Sequence, residues 1–206
     1  FIPGAAEFTP LIKLNQAGVK TVVIDRLVPG GNVPVITADN HHGGYLATRH
    51  LLELGHQRIA YIRRPVDLSH SRGRFNGYQD ALREAGIPFV NELVAEGGFM
   101  LKDGSRAVRE LLTLPNPPTA IFAYNDIMAI GALRALHEAG LRVPQDISLV
   151  GFDDIAQASY TCPALTTVLL PKFEMGQQGA RLLISLIENT YPPHEYLEPL
   201  AVRLIV

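Results

Sequence analysis

The chain has 206 residues, 47% of them hydrophobic, and its 18 Lys and Arg against 20 Asp and Glu give a formal net charge of -2. That length and apolar content support a substantial core in one domain or two small ones and exclude a disordered tail. The near-neutral balance argues against a nucleic-acid surface in this stretch, and no apolar run approaches the roughly 20 residues that cross a bilayer. No basic region followed by an apolar stretch marks a signal segment at the start. The only cysteine, Cys162, has no internal disulfide partner and is expected to be a small packed side chain.

In chain order, FIPGAA reads as the end of a strand running into a loop. Phe8 to Ala17 then predicts a helix closed by Gly18, and Lys20 to Ile24 a strand ending in Asp25. A strand near Val33 to Thr37 leads through Asp39-Asn40 into a helix from about Gly43 to Leu54, with Gly55 as its left-handed stop. Arg58 to Ile62 is the next strand. Ser71 to Ala85 is a helix with Phe75, Tyr78 and Leu82 on one face and Gly86 at its end. A strand near Leu93 to Glu96 runs into Gly97-Gly98-Phe99, and a helix covers about Asp103 to Leu112.

The most informative stretch is Pro118 to Val168, which reads strand, helix, strand. Thr119 to Tyr124 is apolar and ends in Asn125-Asp126. Met128, Ile130, Leu133 and Leu136 then recur at helical spacing until Gly140, and Ile147 to Phe152 is a second apolar run closed by Asp153-Asp154. Strands apolar on both faces fit a parallel sheet covered by helices, joined by a right-handed connection. Leu165 to Leu169 is strand-like, Lys172 to Asn189 a long helix, and LAVRLIV an edge or crossover strand. No linker separates two halves. Short joints at Leu54 to Arg58, Val168 to Lys172 and Tyr191 to Pro199 are the candidate crossovers of a two-lobed arrangement.

Enzyme signatures are absent: there is no Walker loop, no GxGxxG at a strand-helix turn, no GxSxG elbow and no HExxH. His41-His42 and Ser69-His70-Ser71 are the only clusters that suggest a metal. Adjacent histidines do not share a helix face, and no cysteine or spaced carboxylate completes a set, so neither metal nor cofactor is expected. The strand ends make the better case, because ligands of such sheets sit beyond the carboxyl ends of the strands. Asp25, Asn125 and Asp153 each follow an apolar strand, and Phe99 follows a shorter one. Carboxylates accept hydrogen bonds, an amide donates and accepts, an aromatic face stacks on a ring, and Arg74 adds a forked donor, which together suit a polyol. The plainer reading of Asn125 and Asp126 is a helix cap, of Asp153-Asp154 a turn, of Arg74 a surface ion pair and of Phe99 a core residue.

These residues sit in motifs that resemble the effector-binding core of the LacI/GalR family of bacterial transcription regulators. The matching stretches are VVIDR at Val22 to Arg26, ATRHLLELGHQRIAYI at Ala47 to Ile62, RFNGY at Arg74 to Tyr78, NDIMAIGAL at Asn125 to Leu133, GLRVPQDISLVGFDD at Gly140 to Asp154 and PALTTV at Pro163 to Val168. The resemblance implies an α/β fold of two Rossmann-like lobes with parallel sheets, periplasmic binding protein type I-like, joined by three crossovers. Residues 1–57 with 171–193 would form one lobe, lacking its first strand and helix, and 58–170 with 194–206 the other. A helix-turn-helix DNA-binding domain would lie upstream.

By the same resemblance, ligand contacts fall on Asp25, Arg74, Phe99, Asn125 and Asp153, with His70 and Lys172 as a second tier. The implied protein is a cytoplasmic homodimer, not an enzyme, that holds a small effector in the interlobe cleft and controls binding to an operator. Asn125 matches the sugar-responsive branch, and the arginine of a purine reader near Leu68 is missing, so a sugar or sugar derivative is the expected effector and a purine or nucleoside the alternative. A solute-binding protein serving a transporter is the rival function. IRRP at Ile62 to Pro65 replaces the glycines usual after that strand; Arg63 and Arg64 either make the cleft edge more basic or simply face solvent.

Overall fold

The computed structural model describes residues 8–28, 33–64, 69–190 and 197–206. In chain order its helices and strands are α1 (Thr9–Gln16), β1 (Val23–Ile24), β2 (Val35–Ile36), α2 (Asn40–Glu53), β3 (Ile59–Arg63), α3 (Ser69–Glu84), β4 (Val94–Glu96), α4 (Leu101–Leu112), β5 (Ala120–Ala123), α5 (Asp126–Glu138), β6 (Ser148–Val150), β7 (Thr167–Leu169), α6 (Lys172–Ile187) and β8 (Arg203–Ile205). The alternation follows the sequence expectation element by element, and Gly18, Gly55, Gly86 and Gly140 all take positive φ where helices were expected to stop. The opening FIPGAA, the joint over Tyr191 to Tyr196, and Pro65 to Leu68 lie outside the described residues.

The chain divides into two compact units. The smaller is Phe1–Asp39, Leu68–His70 and Pro171–Ala201; the larger is Asn40–Asp67, Ser71–Leu170 and Val202–Val206. The expected lobes, 1–57 with 171–193 and 58–170 with 194–206, share with these units the break at 170–171, whereas residues 40–57 group with the larger unit. The reason lies in α2, which starts at Asn40 rather than near Gly43 and buries Gly43, Gly44, Ala47, Thr48 and Leu51. Gly43 faces the Phe152 ring and Val168 so closely that a Cβ there would collide with the ring.

In the smaller unit, β1 and β2 pair in parallel with Val23 opposite Val35, and the Asp25 N–H donates to the Ile36 carbonyl at 2.8 Å, one step past the strand. Leu11, Val23, Val28 and Val33 form its core. Helix α6 packs on the strands through Gly179, whose missing side chain lets Ile24 and Ile36 approach.

The larger unit holds a parallel sheet in the order β4-β3-β5-β6. All four residues of β5 and the first four of β3 are buried, as strands covered on both faces must be. Beyond β6 the sheet continues through bridges Val150 to Thr166 and Asp153 to Leu169, and β7 then pairs antiparallel with β8, making the closing segment an edge ribbon. Two helix pairs meet backbone to backbone. A Cβ on Gly44 would strike the carbonyl of Arg74, and Gly77 that of His41, which brings α2 against α3; Gly104 and Gly131 do the same for α4 and α5. Cys162 is exposed, contrary to expectation, because Thr161 to Pro163 form a surface turn after a short 3-10 segment.

Candidate functional site

Chain order 2-1-3-4 across the larger sheet puts the reversal of strand order between β3 and β5, the place where α/β sheets open a crevice at their carboxyl ends. Four segments leave the sheet there: Arg63-Arg64 after β3, Gly97 to Phe99 after β4, Tyr124-Asn125 after β5 and Phe152-Asp153 after β6. Asp153 (φ 109) and Asp154 (φ 49) are consecutive non-glycine residues in the left-handed half of backbone space. Such conformations cost about 1–3 kcal/mol each and cluster at functional positions.

Arg74 reaches this end from the second turn of α3. Its Nε donates to Asn40 Oδ1 at 2.8 Å, Nη1 to the Tyr124 carbonyl at 2.7 Å and Nη2 to Asp153 Oδ1 at 3.2 Å. The guanidinium also lies 3.6 Å from the Phe152 ring centroid and 4.6 Å from that of Tyr124. Buried charges need this degree of pairing. The Arg74 side chain is 2% exposed and that of Asp153 26%, so the carboxylate faces outward and the arginine orients it from behind. The surface ion pair considered for Arg74 is therefore replaced by a buried one.

Asn125 caps α5, its side-chain oxygen accepting the Met128 N–H at 2.9 Å, which is the plain reading of that residue. Its amide NH2 is the end of the side chain that the cap does not use. The neighbouring Asp126 is fully buried; it accepts from the Thr167 hydroxyl at 2.6 Å and from the Ile155 N–H at 2.9 Å. Burial pushes its carboxyl up to about 6, against the pull of those two donors, with Asp153 and Asp154 adding to the rise. Asp126 thus ties the strand-end loop to β7.

Phe99 is 42% exposed rather than core, and the Arg64 guanidinium stacks over it at 3.6 Å from the centroid. The Phe99 and Met100 N–H groups both donate to Asp103 Oδ2 at 2.9 Å, starting α4, and Gly98 is required because a Cβ would overlap that carboxylate. The two arginines of IRRP separate in role. Arg63 is half-exposed and pairs with Glu96, while Arg64 is buried.

Arg74, Phe99, Asn125 and Asp153 thus share one end of the larger unit. Asp25 (φ 73), the buried His70 and the exposed Lys172 belong to the smaller unit. Sequence reasoning missed Asn40, Tyr124 and Phe152, which hold Arg74; their places at the start of α2 or just past the ends of β5 and β6 were the available signal. His56 of the LGHQRIA stretch hydrogen-bonds Ser148 Oγ at 2.8 Å and Thr119 Oγ1 at 3.0 Å, but it does so at the amino ends of β5 and β6, and burial lowers its pKa. It fastens strands rather than serving the ligand end. A planar cation, a carboxylate, an amide and aromatic faces are grouped at one sheet end, the kinds of groups that can hydrogen-bond and stack a small polar molecule.

Comparison with known proteins gives a consistent relationship. A family model described as a periplasmic binding protein-like domain matches residues 48–206. The HTH-type transcriptional repressor PurR of Haemophilus influenzae is 41% identical over 161 residues, covering 78% of this chain and 48% of the relative. The HTH-type transcriptional repressor CytR of Escherichia coli is 36% identical over 170 residues, 82% of this chain and 50% of the relative. The chain spans about half the length of the curated relatives it matches. The crystal structure of a LacI family transcriptional regulator from Enterococcus faecium with bound ribose superposes with a TM-score of 0.89 at 34% identity, covering 100% of this chain and 77% of that one.

Proposed function

The chain belongs to the LacI family of transcription regulators as a periplasmic binding protein-like effector-binding domain, and from that premise we propose that it senses a sugar or sugar derivative and so controls operator binding by its parent protein. The parent acts as a cytoplasmic homodimer with a helix-turn-helix domain, and the effector lodges at the carboxyl ends of the larger unit's strands. The observation that carries this reading is the Arg74–Asp153 pair beside the Asn125 amide, a fixed acceptor next to a fixed donor, as neighbouring hydroxyls require. Bound ribose in the Enterococcus faecium regulator supports the same class. The repressors among the relatives favour a regulator over a transporter's solute-binding protein, and nothing at the strand ends pairs a nucleophile with a base among the described residues.

The mechanism is differential affinity. An effector that bound the DNA-competent and DNA-incompetent states equally would shift neither, so Asp153 and Asn125 must meet it better in one state than in the other. The test is a thermal-shift screen of the intact parent against pentoses, hexoses, sugar phosphates, uronates, nucleosides and purines. A ligand at about 100 times its Kd adds about 2.7 kcal/mol of stability, which is readily measured. Asp153→Asn keeps an oxygen for Arg74 but loses the charge, and it is expected to erase the shift while the variant remains folded. A response confined to purines or nucleosides overturns the sugar assignment, and a full shift in Asp153→Asn overturns the site.

A further inference from the structure

Arg64 lies immediately after β3, at the same sheet end as Arg74 and Asp153, and it is only 8% exposed. Its guanidinium is stacked on Phe99 at 3.6 Å from the ring centroid and stands 6.0 Å from the centroid of Tyr124, the residue whose ring Arg74 approaches to 4.6 Å from helix α3. Two guanidiniums therefore lie near one tyrosine ring. One face of the Phe99 ring, which was expected to stack on a sugar, is covered by a cation. A guanidinium stacked on an aromatic plane keeps its N–H groups in its own plane, and those N–H groups match the paired oxygens of a carboxylate or phosphate. The neighbouring backbone offers no substitute, because the Phe99 and Met100 N–H groups are both taken by Asp103.

We propose that Arg64 sets the effector class, selecting a sugar that carries an oxyanion, phosphate or carboxylate, over its neutral parent. Phe99 serves as the plate that holds Arg64 in place, and the effector meets the edge of the guanidinium rather than the ring. This rests on the reading of the strand ends as an effector site and deepens it.

The experiment measures binding of matched sets to the intact parent protein by calorimetry: ribose with ribose 5-phosphate, and glucose with glucose 6-phosphate and glucuronate. The expected result is an oxyanion form that binds at least about tenfold tighter than its neutral parent, with the ratio shrinking as salt rises, since a charged contact is screened. Arg64→Gln, which keeps the length and loses the charge, brings the ratio to about one while neutral-sugar affinity holds within about twofold. Arg64→Lys retains part of the preference. Phosphate and uronate arms separate the two oxyanion sources. Neutral sugars binding as well as their charged forms, or an unchanged ratio in Arg64→Gln with a native melting transition, overturns the role of Arg64 and leaves the sugar site standing. No binding by any member of the sets overturns both.

Discussion

At Asn125 the amide oxygen accepts the Met128 N–H and caps a helix, while the NH2 is the end that the proposed site would use. The two roles separate by substitution. Asn125→Asp keeps an oxygen acceptor of equal capping quality, so stability should stay within a few tenths of a kcal/mol while effector binding is lost. Asn125→Ala should lose binding and also about 1 kcal/mol of stability, read from urea midpoints. Equal binding by the Asp variant would remove Asn125 from the site. The opposite division holds at Arg74 and Asp153, where the buried cation has little surface of its own and acts by orienting the carboxylate.

At the level of elements, the helix layers of the larger unit depend on glycines that let backbones touch. Gly131→Ala in α5 would push a methyl group into the Leu101 carbonyl, whereas Gly176→Ala in α6 meets nothing within 4 Å. The first should cost about 1–3 kcal/mol as an overpacked contact, and the second should gain up to about 1 kcal/mol from helix propensity alone. Denaturant unfolding of both variants checks the contrast. The elements themselves were legible because β3, β5 and β6 are continuous apolar runs ending in polar residues and because a glycine stops four of the helices. What was not legible is long-range. Nothing in Asp39-Asn40 marks a division between compact units, since α2 joins the larger unit through contacts with Phe152 and Val168, more than a hundred residues away. The burial of Arg64 and Arg74 was hidden for the same reason, because an arginine is read as exposed until the rings and acceptors that enclose it are known.

For the molecule as a whole, the unusual titration is that of Asp126. Its folded pKa, about 6, lies above the ordinary 3.8, so the folded state holds this proton more tightly than the unfolded state does. The contribution is therefore greatest at pH below about 4, declines as pH rises to about 6, and levels off beyond, by roughly 3 kcal/mol across the window. Asp146, held by Arg142 down to about 2, has the opposite sign and loses its contribution only as pH falls below about 4. Urea midpoints between pH 4.5 and 7 should fall with rising pH in the parent and flatten in Asp126→Asn; an unchanged slope would show that another group carries it.

The positive φ angles at Asp153 and Asp154 bear on any attempt to retarget this protein. Backbone at those angles admits glycine readily, asparagine and aspartate at some cost, and β-branched or bulky residues hardly at all. A library randomised at both positions would return a narrow alphabet whatever ligand were used for selection. New specificity would have to be sought at exposed side chains on ordinary backbone around them, and the engineer who varied Phe99 would be working with far more usable diversity.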